Sequence, residues 1–245
     1  MKNNKIIFLF LFWVTVGFSQ STTGTRGLVK APTARMFESG TIALGTSFIP
    51  PGYHKKTFGF QKGQPTGNGG LNTFVTVNFL PFMEVMFRYT HELNVPVTPL
   101  TRYFPDRMFT ARFKLLNESK SLPAIVVGMQ DITALFDISC KGCSNFSSLY
   151  IVGSKAFKFN QLTIDTSLGY GSSISDLEAK EFRGLFGGVS LQYDKLLHTE
   201  LLIDYDAEYL NVGVQKLFFN RIQTMFSFYP KYQKVGWMFA YRYQL

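Results

Sequence analysis

The feature that most constrains this chain is a strict alternation of bulky apolar residues with small or polar residues in its last segment. One set comprises Val235, Trp237, Phe239, Tyr241, Tyr243 and Leu245, and the other comprises Gly236, Met238, Ala240, Arg242 and Gln244. A period of two places the two sets on opposite faces of one β-strand. A strand of about ten residues with aromatic residues on its apolar face is typical of the tilted strands of an outer-membrane β-barrel.

The same alternation recurs along most of the chain, most clearly in the segments 84–89, 108–115, 162–170 and 222–228. Long and short connections alternate between the segments, as they do in outer-membrane barrels. We therefore predict an all-β fold, a single transmembrane antiparallel barrel of about twelve strands that occupies residues 41–245, with no second domain. The predicted strands are 41–48, 71–79, 83–91, 106–115, 124–132, 148–157, 161–171, 184–193, 199–206, 209–218, 221–229 and 235–245.

Periodicity does not by itself separate a membrane barrel from a soluble β-sandwich, because both have one apolar face. The first residues favour the membrane barrel. Lys2 and Lys5 precede an apolar run over 6–18, and the small residues Gly17 and Ser19 lie at its end. This is the pattern of a secretory signal peptide, and the run is shorter than the roughly 20 residues of a spanning helix. We predict a signal peptide over 1–19, cleavage after Ser19 and a mature protein in the cell outer membrane.

Composition narrows the classes of partner. Charged residues make up 17% of the chain, and the net formal charge is +9. The basic residues are scattered singly instead of lying in runs, which argues against nucleic-acid binding. The partners that we expect are outer-membrane lipid, the barrel-insertion machinery, and a polysaccharide or an envelope protein.

Residues 20–40 lack strand alternation. Pro32 precedes the short segment 33–39, which Gly40 closes, and this pattern is compatible with one helical turn. The segment is either a periplasmic leader, ordered or disordered, or a small plug inside the barrel.

Inward-facing charges are the second informative feature. Strand parity points eight charged side chains into the lumen: Glu84, Arg88, Arg112, Lys114, Asp165, Glu200, Asp204 and Arg242. The cations lie on one arc of the wall, and three of the acids face them from the other side. This predicts either a transverse field that orients polar solutes or charge pairs that close the lumen. We adopt closure, with Arg88 and Arg112 expected to meet Asp165 and Asp204.

The remaining candidates for chemistry are few. Cys140 and Cys143 lie in a predicted external loop, where a disulfide is favoured and free thiols or redox activity are the alternatives. A zinc site needs four ligands, so we expect no metal and no cofactor. Ser47, His54 and His91 could form a catalytic group at the rim, but their spacing does not constrain it. We expect the protein not to be an enzyme; an outer-membrane hydrolase is the weakest alternative.

Several stretches of the chain resemble a known family. They are GLVKAPTARMFESGTIALG (27–45), DRMFTARFKLLNESKSLPAIVVGMQDI (106–132), SLYIVGSKAFKF (148–159) and LLIDYDAEYLNVGVQ (201–215). Together they resemble the YjbH-like family of outer-membrane proteins associated with exopolysaccharide production. The chain departs from that family after Asp131, where relatives tend to be glycine-rich and this chain has TALFDISCKGC.

The resemblance implies an outer-membrane barrel linked to export or assembly of an exopolysaccharide or capsule. It supplies no catalytic residues. Some family members contain two barrels in tandem, whereas this chain has residues for one. The alternative role is that of a structural partner barrel in an envelope complex.

Overall fold

The chain folds as a closed antiparallel barrel in which each strand pairs with its sequence neighbours and the last strand pairs with the first. The computed structural model describes residues 18–51, 69–93, 106–132, 147–172, 181–196 and 198–245. The strands are β1 (Thr41–Ile49), β2 (Gly70–Leu80), β3 (Met83–Glu92), β4 (Asp106–Leu116), β5 (Ala124–Gln130), β6 (Ser148–Phe159), β7 (Leu162–Ser172), β8 (Gly184–Tyr193), β9 (Thr199–Tyr205), β10 (Leu210–Phe218), β11 (Ile222–Tyr229) and β12 (Lys234–Gln244). The prediction of an all-β barrel of about twelve strands is confirmed.

The two ends of the barrel differ in their connections. The end that carries the connections 81–82, 117–123, 160–161, 194–198 and 219–221 is called the turn end here, and the opposite end is called the loop end. The connection between β10 and β11 contains a tight turn closed by a hydrogen bond from the Arg221 N–H to the Phe218 carbonyl, and its Phe219 and Asn220 have φ values of +53° and +57°. Two positive φ values are the signature of the type I′ turn, whose twist matches that of paired strands. No helix within the described ranges has the length and apolar character needed to cross a membrane.

Burial is inverted relative to that of a soluble protein. Exposed side chains on the outer wall include Leu168 and Phe226, which are 67% and 73% exposed, whereas the inward-facing Arg88 and Asn211 are 1% and 0% exposed. Soluble proteins rarely bury charged residues and rarely expose continuous apolar surface. The apolar face of the strands therefore points outward and the polar face points inward.

Aromatic residues lie on the outer wall near both ends of the barrel. The outward-facing set at the end of the chain is exposed, from 37% at Tyr241 to 76% at Leu245. Exposed tyrosines near the loop end are Tyr89, Tyr170 and Tyr205, and those near the turn end are Tyr193, Tyr241 and Tyr243. Two aromatic girdles that flank an apolar band are characteristic of barrels in lipid.

Residues 18–40 are called the plug here, and all but the last three of them lie inside the barrel. Every residue from 19 to 37 is buried, and two isolated bridges fold the segment back on itself, between Gln20 and Arg26 and between Gly27 and Pro32. The helical turn with which the sequence of 33–39 is compatible does not form, and the segment is irregular there. Some of its backbone carbonyls accept from N–H groups of the plug itself, and others accept from side chains of the barrel wall, as described below.

Three inward-facing aromatic side chains make room for the plug by lying flat against the wall. Phe74, Tyr150 and Phe186 each stand directly opposite a glycine on the neighbouring strand, at Gly45, Gly128 and Gly169 respectively. A Cβ atom built on Gly128 would lie 2.1 Å from the Tyr150 ring, and one on Gly169 would lie 2.3 Å from the Phe186 ring. The glycines therefore let the rings cover the neighbouring strand, an arrangement known to fix strand register.

We predict that Gly128→Ala destabilises the barrel by about 1–3 kcal/mol, because the new methyl group overlaps the buried Tyr150 ring. The measurement is the midpoint of urea unfolding of the protein refolded in lipid or detergent. Gly153→Ala is the matched control, since a Cβ atom there meets nothing closer than 3.7 Å. Equal midpoints for the two variants would contradict the packing described.

We also predict that Phe226→Arg weakens folding into lipid bilayers by about 2–4 kcal/mol, because Phe226 lies midway along β11 on the outer face. Phe219→Arg, at the tip of a turn and 87% exposed, is the control and should cost much less. The free energy of folding into vesicles measures both. If the outer wall faced water, both changes would be nearly neutral.

Candidate functional site

The eight charged residues predicted to line the lumen lie on the barrel wall as follows. Glu84 and Arg88 lie on β3, Arg112 and Lys114 on β4, Asp165 on β7, Glu200 and Asp204 on β9, and Arg242 on β12. Seven of them are at most 7% exposed, and Lys114 is half-buried beside a bulge at the turn end. The acids of β7 and β9 form an acidic arc, and the arginines of β4 and β12 form a cationic arc on the other side. The plug lies between the two arcs.

On the acidic arc, Asp165 binds a plug cation. The Arg35 guanidinium donates from Nε and Nη2 to the two carboxylate oxygens of Asp165, both at 2.8 Å. Its Nη1 also lies 2.5 Å from Glu118 Oε2 in the turn after β4. A planar fork that meets a carboxylate at two points is among the strongest side-chain contacts. Arg35 thereby ties the plug to two parts of the wall.

Asp204 binds the plug backbone. Its Oδ2 accepts the backbone N–H of Lys30 at 2.7 Å and that of Ala31 at 2.8 Å, and its Oδ1 accepts the Asn211 amide at 2.7 Å. Three donors around one buried carboxylate supply the hydrogen bonds that a buried charge requires. The register of the plug along the barrel axis is fixed at this point.

The cationic arc binds plug carbonyls. The Arg112 guanidinium donates to the backbone oxygen of Arg26 at 3.1 Å, to that of Arg35 at 3.2 Å and to that of Thr33. It also donates to Glu84 Oε1 at 2.6 Å, which makes an ion pair between adjacent strands. Arg112 is fully buried, so these acceptors replace the water that its charge would otherwise need.

Arg242 and Glu200 hold the start of the plug at the turn end. Arg242 donates to the Phe18 carbonyl, and its guanidinium lies 4.7 Å from the centre of the Phe37 ring. Glu200 Oε1 accepts the Phe18 N–H at 2.6 Å. A contact of a guanidinium over an aromatic face adds attraction where the cation is desolvated.

Hydroxyl groups complete the ring of contacts. Ser47 on β1 donates to the Thr22 carbonyl at 2.6 Å, and Thr76 on β2 donates to the Gly24 carbonyl at 2.7 Å. On β6, the Ser154 hydroxyl accepts the Ala34 N–H at 2.7 Å. Seven strands spread around the barrel, β1, β2, β4, β6, β7, β9 and β12, therefore bond to the plug.

The charge pairs expected to meet across the lumen do not form. Arg112 pairs with Glu84 on its neighbouring strand, and Asp165 pairs with Arg35 of the plug. Arg88 lies 3.8 Å from Glu181, which precedes β8 at the loop end. The expectation failed because it treated the lumen as empty, whereas the plug occupies the space between the arcs and satisfies each arc separately.

A second charged group, which we call the loop-end latch, consists of Lys30, Glu181 and Asp206. Lys30 Nζ lies 3.4 Å from Glu181 and 3.3 Å from Asp206. Burial would lower the pKa of Lys30, but the two carboxylates outweigh burial and raise the pKa above its ordinary value. A cation with a raised pKa in the folded protein stabilises it fully at pH values below its ordinary pKa, so the latch is intact at neutral pH.

Apolar contacts fill the space around these charges. Leu28 and Val29 of the plug pack in a buried cluster with the inward-facing Phe74, Met86 and Leu202. A second cluster surrounds three other plug residues; its members include Ala31, Ala34, Met36, Tyr150, Phe182 and Phe186. The plug is thus packed on both sides and does not merely span an aqueous channel.

Sequence reasoning missed the roles of the plug cations Arg26, Lys30 and Arg35, of which Arg26 donates from Nη1 to the Met36 carbonyl at 3.0 Å. The parity argument applies to strands only, and it had already balanced four cations against four acids, so nothing in it called for further partners. The available signal was the position of these three cations in a short segment without strand alternation. Such cations can reach the inward-facing acids of the strands only if the segment enters the lumen, as Arg35 does when it binds Asp165.

The other predicted candidates do not form a site in the described part of the chain. Ser47 points inward and bonds to the plug, while His91 on β3 is exposed on the outer face, so the structure does not bring them together. Cys140, Cys143 and His54 lie outside the described residues, and the disulfide stays a prediction. Among the residues that the structure does describe, no cluster of histidine, cysteine and acidic side chains could hold a metal ion.

Comparison with known proteins identifies the family. The sequence model of the family described as exopolysaccharide biosynthesis protein YbjH matches residues 19–218. The chain belongs to this YjbH family. It is also similar to the uncharacterized lipoprotein YjbH of Escherichia coli (strain K12), with 27% identity over 163 residues, or 63% of this chain and 19% of that protein. The chain therefore spans about a fifth of the length of this curated relative, and the resemblance found in the sequence is confirmed.

We predict that Arg112→Met lowers the stability of the folded barrel by up to about 3–5 kcal/mol, because it leaves the buried Glu84 carboxylate without its cation. Water that enters the lumen would reduce the loss. The measurement is the unfolding midpoint in detergent. Arg107→Met, on the same strand but exposed, is the control, and equal midpoints would show that the contacts of Arg112 do not stabilise the barrel.

Proposed function

We propose that this protein is a plugged outer-membrane barrel that serves exopolysaccharide export or assembly as a non-enzymatic membrane component. In this proposal the lumen is closed in the resting state, so the barrel does not work as a permanently open pore. The observation that carries the proposal is the ring of contacts between the plug and seven strands of the wall.

The outer-membrane location rests on the inverted burial of the strands. An apolar outer wall with aromatic residues near both ends matches the dimensions and chemistry of lipid. A closed barrel also satisfies all of its backbone hydrogen bonds internally, which the hydrocarbon region requires of any spanning structure. The leader-like first residues support export from the cytoplasm.

The link to exopolysaccharide rests on the family. A polar lumen could in principle conduct a glycan, but here polar groups such as Arg112, Asp165 and Asp204 already bind the plug. We therefore favour a role in which the polysaccharide machinery uses the barrel as a membrane-embedded partner, and its exposed rims and loops make the contacts. Passage of a glycan through the lumen is the second candidate, and it requires the plug to leave.

The proposal that the protein is not an enzyme rests on the contacts that the candidate catalytic groups already make with the plug. Catalysis needs a nucleophile, a base and an orienting group within hydrogen-bond reach. The Ser47 hydroxyl donates to the plug, and the buried carboxylates of Asp165 and Asp204 accept from plug donors. Hydrolysis of polysaccharide by the purified protein would contradict this part.

We predict that the wild-type protein conducts poorly in planar bilayers, and that the double change Asp165→Ala and Asp204→Ala raises the conductance. These two carboxylates hold the plug through Arg35 and through the backbone of Lys30 and Ala31. Asp194→Ala is the control, because Asp194 pairs with Lys158 at the exposed turn end, outside the plug. A large steady wild-type conductance would overturn the closed resting state.

A covalent cross-link between the plug and the barrel wall distinguishes the two candidate roles in cells. The Ala34 N–H donates to Ser154 Oγ, so the changes Ala34→Cys and Ser154→Cys place two thiols close together. Formation of a disulfide between them is read on non-reducing gels. If the barrel acts as a partner with the plug in place, a deletion strain that carries the locked protein makes normal exopolysaccharide. Loss of polysaccharide that a reductant restores would favour passage through the lumen. An unchanged polysaccharide level in the deletion strain would contradict any such role.

A further inference from the structure

Phe18, the first described residue, is built into the barrel at the turn end. Its N–H donates to Glu200 Oε1 at 2.6 Å, its carbonyl accepts from Arg242, and its ring packs edge-on against His198 with the centroids 5.9 Å apart. The next residue, Ser19, is buried, and its carbonyl accepts the Gly27 N–H. Both residues therefore belong to the plug.

Glu200 is a buried carboxylate aimed at the Phe18 nitrogen. It is 2% exposed, and its other hydrogen bond is accepted from the Gln215 amide at 3.1 Å. No cation among the described residues lies within ion-pair distance of Glu200, in contrast to Glu84 and Asp165, which have arginine partners. A buried carboxylate normally has a counter-charge, and the atom that occupies this place is a backbone nitrogen.

The leader sequence offers two cleavage points that place small residues before the cut. One follows Ser19, with Gly17 two positions earlier, and the other follows Gly17, with Thr15 two positions earlier. A cut after Ser19 would remove the contacts of Phe18 with Glu200 and Arg242 described above. The family match also begins at residue 19, inside the segment that such a cut would remove.

We propose that the leader is removed between Gly17 and Phe18, and that the new amino terminus is the counter-ion of Glu200. Hydrolysis adds one water to the peptide bond; Gly17 leaves with the carboxylate, and the freed Phe18 amine takes up a proton to become an ammonium. An α-amino group is ordinarily protonated near neutral pH. In the precursor the same nitrogen is a neutral amide, so this anchor of the plug reaches full strength only after processing.

The first test is the mass and amino-terminal sequence of the protein purified from the outer membrane of its own cells or of a Gram-negative host. The proposal expects a mature chain that begins at Phe18. A chain that begins at Gln20, a chain that retains the leader, or any other start would overturn it. This test does not depend on exopolysaccharide, so its failure and the failure of the proposed function are distinguishable.

The second test measures the ion pair. Protein released from a fusion by a specific protease is refolded with either Phe18 or Gly17 as its first residue, each with and without Glu200→Gln. The Gly17 form keeps the N–H at Phe18 but moves the charge one residue away, so its melting temperature should be several degrees lower. Glu200→Gln should abolish this difference, as in a double-mutant cycle. Equal melting of the two forms with Glu200 present, or a difference that survives in Glu200→Gln, would overturn the pair.

Discussion

The constraint on which the rest of the structure depends is that charged side chains on the inner wall need partners where water is scarce. Leaving one member of a buried pair without its partner costs about 3–5 kcal/mol, and seven of the eight charges predicted to face inward are almost completely buried. Within the described strands, the wall itself supplies the direct pair between Arg112 and Glu84. The other buried charges bind groups on neighbouring segments and, above all, on the plug.

The plug binds the acidic arc with hydrogen-bond donors and cations, and it binds the cationic arc with hydrogen-bond acceptors. It presents cations and N–H groups to Asp165 and Asp204, and it presents carbonyl oxygens to Arg112 and Arg242. A single irregular segment can do this because, unlike a helix or strand, it leaves donors and acceptors free to bond sideways. The lack of regular structure in 18–40 is thus part of how the segment fits the wall.

The strands could be predicted from the sequence because their signal is local. Alternation with a period of two gives both the strand and the face on which each side chain lies, and the observed boundaries agree with the predicted ones within two residues. The predicted partners of Arg88, Arg112, Asp165 and Asp204 were wrong for a different reason. Which charges meet depends on contacts between residues more than a hundred positions apart, such as Ala34 with Ser154, and no local pattern encodes them.

The glycines opposite the inward aromatic rings also show which features can be predicted locally and which depend on contacts between distant residues. The sequence displays Gly45, Gly128 and Gly169 as small residues on the polar face, but their purpose depends on the register that brings Phe74, Tyr150 and Phe186 opposite them. Register follows from strand pairing around the closed ring. Once pairing is known, the space that these rings vacate explains how a lumen lined by bulky residues also contains the plug.

The energetics of the plug bear on the choice between a partner role and a transport role. Withdrawal of the plug would separate Arg35 from Asp165 and Lys30 from Glu181 and Asp206, and these charges would then need water. Only a fully hydrated open lumen could supply it, so a dry half-open state is strongly unfavourable. A ligand or partner that converts a barrel from 1% open to 99% open must bind the open state more tightly by about 5.5 kcal/mol. A passage function therefore requires a partner with that preference, whereas a membrane-embedded partner role needs no change in the plug.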